Sequence, residues 1–388
     1  MSEMPYFGRN PVYLGTLAVF VALQPAIIHA KNFQALLAIR FLSGLFGSPV
    51  LATGGASIVD MYQPSKRAYT ISIWGIAAIM GPVMDPMVGG FTVDAKGWKW
   101  TIWEILWLSG FCFVFLFCFL PETSASHIIF ARTSRLRKII GDQSPAIKCQ
   151  PELEGESLTT REILLMLFIR PFTLSFFEPI VLALNFYIAL LYALMYLWFE
   201  SFPLVFEGIY GFNGGEMGLA YLGILVGCLL TVPPFWWYLR RVTEPRFING
   251  RLEPEHRVPP ACVCGFFIPI SLFWFGWSSR SSVHWIVPTI GTIFFTPGAF
   301  LLFNSVLNYL GGAYPLHAAS VYAGNDLMRS SFGAGFPLFA PAMFHRLGVA
   351  WASTLLEFLS IVFIPVPFVL VRYGERLRAL SRHARHDI

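Results

Sequence analysis

An all-α polytopic membrane protein is the fold class this sequence predicts, and three observations predict it. The 388-residue chain is 56% hydrophobic and 13% charged, whereas soluble chains carry roughly 25% charged residues. Apolar runs of about 18 residues or more recur from end to end without alternating with a polar face. Several of these runs hold glycine and proline, which weaken soluble helices but are tolerated between membrane helices. The same runs exclude a soluble protein with an oversized core.

Taken in order, the runs place ten spans at about 11–30, 33–58, 68–92, 101–120, 178–200, 216–238, 260–278, 283–309, 318–343 and 349–372. The chain opens with the polar decapeptide MSEMPYFGRN, so no cleavable leader is expected and the first span begins at Pro11. One connection is long. It holds PETSAS, a basic patch (Arg132, Arg135, Arg137, Lys138) and an acidic run from Glu152 to Glu156. Its end, Arg161 to Arg170, reads as an amphipathic stretch lying on the membrane surface. The expected organisation is therefore a four-span half (1–120), a central cytosolic loop (121–170) and a six-span half with a basic tail (171–388).

Topology follows from the positive charges, which concentrate on the cytosolic side of membrane proteins. Arg9, Lys66, Arg67, the central loop, the arginines of 240–257 and the tail from Arg372 all fall on one side. Only Lys31, Lys96, Lys99, Arg280 and Arg346 fall on the other. Both termini are expected in the cytosol. A four-plus-six division also leaves the first half two spans short of the second. A missing pair ahead of residue 1 would keep the N-terminus on the same side.

The stretch from Gly75 to Phe91, GIAAIMGPVMDPMVGGF, is the most unusual span. Gly81, Asp85 and Gly89 recur every fourth residue and share one helix face. Small residues at that spacing let two backbones approach closely. That face is expected to be packed, with Asp85 as a costly carboxylate at mid-depth. Asp326 and Arg329 stand three apart on another span, where they can neutralise one another or take part in gating.

Chemistry of other kinds finds no support. The six cysteines match no zinc, redox or disulfide spacing. The eight histidines fall in loops, tails or span ends. No HExxH, Gly-x-Ser-x-Gly or GxxxxGK[ST] pattern is present. No enzyme, metal, cofactor or nucleic-acid partner is expected, and an ion gradient is left as the energy source.

Further motifs carry a family resemblance. MSEMPYFGRNP resembles the end of the signature loop between the second and third helices of the major facilitator superfamily. LLAIRFLSGLFGSPVLATGGASIVD resembles the fourth-helix motif with its buried arginine, here Arg40, and 75–91 resembles the antiporter motif of the fifth helix. WKWTIWEILWLSG, PETSAS, FIRPFTLSFFEP, PEHRVPPACV, SVHWIVPTIG and AGNDLMRSSFGAGFPLFA narrow the likeness to the fungal multidrug and polyamine type of proton antiporter. The resemblance covers nearly the whole chain. It implies a major facilitator fold of two helical halves, here with about ten spans where the family has about twelve.

It also implies alternating access around a midplane cavity and proton-coupled efflux of amphipathic small molecules such as drugs, polyamines or secondary metabolites. Proton coupling or gating would fall to Arg40, Asp85, Asp326 and Arg329. Helix packing would fall to Gly75, Gly81, Pro82, Pro86, Gly89 and Gly90. The cavity would be lined by Tyr187, Tyr192, Tyr196 and Asn304. Arg40 has a purely structural reading as well, a hydrogen bond to loop carbonyls. The implied partners are a small-molecule substrate, protons and the bilayer. A plasma-membrane monomer is the family expectation. Two departures stand out: the absent opening pair of helices, and Asp85 where the family has glycine. The competing expectation is a truncated membrane remnant or scaffold that does not transport.

Overall fold

The computed structural model describes residues 8–140, 148–150, 152–153, 162, 165, 169–247, 252–381 and 383–384, apart from the side chains at 51–53, 56, 59 and 316. The opening MSEMPYF lies outside the described residues, as do most of the acidic run and most of the 161–170 stretch. So does the tail past Ala384.

Two compact units form, one from residues 1–63 and 98–172 and the other from 64–97 and 173–388. The first holds α1 (Arg9–Ile28), α2 (Phe33–Gly47), α3 (Pro49–Met61), α5 (Trp98–Phe119) and α6 (Ala125–Ile140). The second holds α4 (Arg67–Lys96), most of α7 (Arg170–Phe177), α8 (Pro179–Phe199), α9 (Gly214–Ala220) and α10 (Leu222–Tyr238). It continues with α11 (Pro259–Cys264), α12 (Phe267–Ser278), α13 (Ile286–Ile293), α14 (Phe295–Ala313), α15 (Ala318–Gly335), α16 (Ala340–Phe363) and α17 (Pro365–Ala379).

Among the described residues, eight helical stretches are long and apolar enough to cross a membrane, so a count of ten is not confirmed. The 33–58 region divides because Pro49 has no N–H for the helix ladder and starts a new helix at its first position. The regions 318–343 and 349–372 instead fall within one stretch, Ala318–Ala379, which turns at Gly348 with φ 74°. That left-handed conformation favours glycine.

The first unit is stitched by buried polar contacts. Gln24 on α1 donates to Ser43 on α2 at 3.1 Å, and the Tyr13 and Ser57 hydroxyls join α1 to α3 at 2.9 Å. Such pairing offsets the penalty of placing polar groups in an apolar setting.

By contact α4 belongs with the second unit, whereas a division at residue 120 puts it in the first. The reason is its buried stripe. Ala68, Ile71, Ser72, Gly75 and Val83 are buried on it, and the helix packs against α9, α10 and α14. Ser72 accepts from the Trp236 indole at 2.9 Å, and Lys66 pairs with Glu244 at 2.5 Å. At the far end the carboxylate of Asp94 accepts from Gly215 N–H at 3.0 Å, one of the unsatisfied donors of α9. Asn213 and Glu216 complete that cap reciprocally. The core of the unit is aromatic: Trp198 lies 4.6 Å from Phe295 and 5.3 Å from Phe275, centroid to centroid.

Candidate functional site

The polar groups at mid-depth in the second unit line up along α4, α8, α14 and α15. Arg329 on α15 is buried and ion-paired with Asp326 one turn earlier. Its guanidinium lies 4.8 Å from the Tyr192 ring centroid and 5.1 Å from that of Phe303. The charge is thus neutralised by a carboxylate and flanked by two π faces. Tyr192 and Tyr196 are one turn apart on α8, with ring centroids 4.8 Å apart and hydroxyls 3.2 Å apart. The Asp85 carboxylate and Arg329 both act electrostatically on Tyr196. Trp74 of α4 stacks on Phe303 at 6.3 Å, and Gly75 comes so close to Asn304 that an added Cβ would lie 3.0 Å from its amide nitrogen.

Nε of Arg329 and Oδ1 of Asn304 are buried along this column and have no partner among the described residues. The Asn304 amide nitrogen donates to Phe300 O at 3.2 Å, so its oxygen is the half left over. Atoms of that kind in a low-dielectric interior favour a polar ligand or water. A narrow crevice in the same unit is lined by Ile79, Pro82, Met195, Phe199, Phe295 and Ala299. The column therefore combines aromatic faces, a neutralised ion pair and unsatisfied polar atoms.

The remaining residues singled out above are placed differently. Tyr187 is buried against Phe363 of α16 at 5.9 Å, away from the tyrosine pair. Arg40 on α2 is exposed and has no hydrogen bond or ion pair among the described residues. The tightly packed face of α4 is not the one carrying Gly81 and Asp85. Both of those are exposed, and a Cβ on Gly81 would meet nothing within 4 Å. The close approach runs along Gly90 and Pro86 instead. A Cβ on Gly90 would lie 2.3 Å from Gly214 O, and one on Gly218 would lie 2.4 Å from Pro86 O. The correction has a physical cause: α4 carries small residues on two faces, and α9 supplies its own glycines to only one. Gly89 is half-buried beside that seam.

The structure also shows groups that sequence reasoning passed over. Glu122, in the PETSAS motif after α5, accepts from four backbone N–H groups: Arg9 at 3.0 Å, Asn10 at 3.2 Å, Thr123 at 2.9 Å and Ser124 at 2.8 Å. Arg9 pairs in turn with Asp60 at the end of α3 at 2.6 Å. Burial alone would raise the Glu122 carboxyl, but the four donors outweigh it and hold its pKa below the ordinary value. In the second unit Glu255 takes both Nε and Nη2 of Arg378, at 2.9 and 3.1 Å. The buried amides of Asn185 and Asn325 join α8 to α15 at 3.0 Å. A glutamate just after an apolar span was the visible signal for the first contact. The others join residues far apart in the chain, the two in the second unit more than a hundred positions apart, and left no local trace.

The comparisons with known proteins agree with one another. The pattern of the Major Facilitator Superfamily matches residues 5–337. The chain is 44% identical over 391 aligned positions to Transporter mfs1 of Schizosaccharomyces pombe, covering 99% of this chain and 73% of that protein. It is 41% identical to Multidrug transporter FLR2 of Candida glabrata, covering 98% of this chain and 65% of that one. It is 40% identical to Fluconazole resistance protein 1 of Saccharomyces cerevisiae, with 99% and 70% covered. Among solved structures, the human organic anion transporter MFSD10 (TETRAN) superposes with a TM-score of 0.66 at 16% identity, covering 94% of this chain and 78% of that one, a likeness of fold. With a family match over most of its length and relatives of this identity, the chain is a multi-pass membrane protein that belongs to the Major Facilitator Superfamily.

Proposed function

We propose that the protein is a secondary active transporter that exports amphipathic small molecules, including drugs, by alternating access. The observation that carries this reading is the chain of polar and aromatic groups between two helices, in which Asp326 pairs with buried Arg329, Arg329 lies over Tyr192, and the Tyr192 hydroxyl meets that of Tyr196. Ionisable groups inside spans are expensive and mark substrate or proton routes. The names of the relatives, among them multidrug transporters and efflux pumps, support the same substrate class. Proton coupling or gating by Arg40, Asp85, Asp326 and Arg329 is part of the proposal. Ten spans, cytosolic termini, a plasma-membrane location and a monomeric state complete it.

A second reading, a membrane remnant that does not transport, is favoured by one observation: Arg40 stands exposed on the apolar helix α2 with no hydrogen bond or ion pair among the described residues. One experiment separates the two. Proteoliposomes holding the full chain are given a pH gradient, and movement of a fluorescent amphipathic dye is followed. Gradient-driven dye movement that disappears in Arg329→Ala supports transport, whereas movement no faster than in empty liposomes establishes the second reading.

A further inference from the structure

The helix α6, just after the span α5, has no task in the transport reading. Its sequence, ASHIIFARTSRLRKII, holds four basic residues (Arg132, Arg135, Arg137, Lys138) and no acidic one. Arg137 is taken by Glu152. Arg132, Arg135 and Lys138 are exposed and have no hydrogen bond or ion pair among the described residues. The same helix carries apolar residues that the protein does not cover. Ile129, Leu136, Ile139 and Ile140 are all exposed, Ile139 at 80%, and none of the helix is buried.

The two sets are ordered on the helix. Ile129, Arg132, Leu136 and Ile139 follow one another at three or four residues and so share a face, with Ile140 beside it. Arg135 and Lys138 continue from Arg132 in steps of three, which carries them progressively to one edge of that face. Long basic side chains so placed lay their stems on an apolar surface and reach outward with their charges. A helix of 16 residues is marginal in water and ordinarily gains its stability by packing an apolar face, yet here that face is open.

Its position in the chain says what covers it. The stretch Trp98–Phe119 is long and apolar enough to cross a membrane, and α6 begins at Ala125. The turn between them is held in place: Glu122 accepts from the N–H groups of Thr123 and Ser124, and the Ser124 hydroxyl accepts from His127 N–H at 3.4 Å. An open apolar stripe edged by unpaired cations, tethered this closely to the end of a span, matches a bilayer surface of negatively charged headgroups in both charge and polarity. We infer that α6 is a docking surface for anionic lipids at the membrane face where α5 ends. Ile129, Leu136, Ile139 and Ile140 enter the headgroup boundary, and Arg132, Arg135 and Lys138 bind the headgroup anions. The inference is independent of what the protein transports.

Hydrogen exchange at residues 125–140, measured on the full chain in lipid nanodiscs, tests it. Nanodiscs of phosphatidylcholine alone are compared with nanodiscs holding about 30% phosphatidylserine. Exchange in α6 should slow about fivefold or more with the anionic lipid, while exchange in α1 of the same unit stays unchanged. Sodium chloride at about 1 M, where the Debye length is about 3 Å, should remove most of the difference. The triple variant Arg132→Gln, Arg135→Gln, Lys138→Gln should erase it, with α1 protection reporting that the unit is still folded. Arg132→Lys with Arg135→Lys should keep it, and Ile139→Gln, which leaves every charge in place, should narrow it. Equal exchange of the parent chain in the two lipids overturns the inference whatever the variants do. So does a lipid effect that survives in the triple variant. Equal slowing by millimolar inorganic phosphate in pure phosphatidylcholine also overturns it, because α6 would then be a site for soluble anions. Both faces of a nanodisc carry the same lipids, so the result does not depend on which side the termini occupy.

Discussion

The start of α1 and the short stretch ahead of α11 are each fastened to the end of another helix in their own unit, and they are fastened in opposite ways. In the first unit the helix end supplies the carboxylate: Glu122, just past α5, gathers the backbone N–H groups of Arg9 and Asn10. In the second unit the loop supplies the carboxylate: Glu255 receives the guanidinium of Arg378 from the end of α17. The first contact reads backbone conformation, so most side chains at positions 9 and 10 could satisfy it. It is selective at Gly8, where a Cβ would lie 1.9 Å from the Glu122 carboxylate. The second depends on a particular side chain with two parallel donors. It too has its glycine, since a Cβ on Gly374 would lie 2.7 Å from Glu255 Oε1.

The difference teaches how each contact should fail. Removing Glu255 leaves Arg378, which is 3% exposed, as a buried charge without its partner. Glu255→Ala should therefore have the largest effect, about 3–5 kcal/mol of stability. Thermal unfolding in detergent reads it, and a loss below about 1 kcal/mol would show that the pair is solvated. Glu255→Gln keeps the shape and should sit between the parent and the alanine variant.

Glu122→Ala strands backbone donors that are only partly buried, so about 2–3 kcal/mol is expected. Its signature should be local, with faster hydrogen exchange at residues 9, 10, 123 and 124 and little change around Glu255. Equal protection loss in both regions would mean that the two contacts are not separate devices.

Acidification should discriminate further. The Glu122 pKa in the fold is below its ordinary value of 4.5, so the unfolded chain binds the proton more readily. The contribution of the carboxylate is fully present above pH 4.5 and is lost as pH falls through the lower, folded value. Protection at Arg9 and Asn10 should thus be flat from pH 8 to about pH 5 and fall only at more acid pH. A transition near neutrality would show that some other group controls the start of α1. The smallest effect is expected in Asp60→Asn, because position 60 is 38% exposed and asparagine keeps an oxygen acceptor for the buried Arg9 guanidinium. The loss should be about 1–2 kcal/mol, with the Glu122 contacts intact. A larger loss would place Arg9, rather than Glu122, at the centre of the first contact.

Much of the fold was legible in the order of residues, because the bilayer imposes a length and an apolar character that no isolated motif can mimic. The pairing of Asp326 with Arg329 was legible too, since three residues along a helix bring two side chains together whatever else surrounds them. The Gly75 to Phe91 stretch announced close helix packing but not its direction. Glycine spacing permits approach on more than one face, and the partner's own small residues select among them. Here Gly214 and Gly218 took the face of Gly90 and Pro86 and left Gly81 and Asp85 open.

The sequence by itself determined the membrane class, the positions of most spans and the family to which the chain belongs, because these depend on hydrophobic length and local motifs. The tertiary structure alone decided that α4 joins the second unit, that Tyr187 packs against Phe363, and that Tyr192 and Phe303 enclose Arg329. It also decided that Glu122 reaches back across more than a hundred residues to Arg9. Contacts of that kind are set by which helix faces meet, and that choice belongs to the packed helices together rather than to any one stretch of chain.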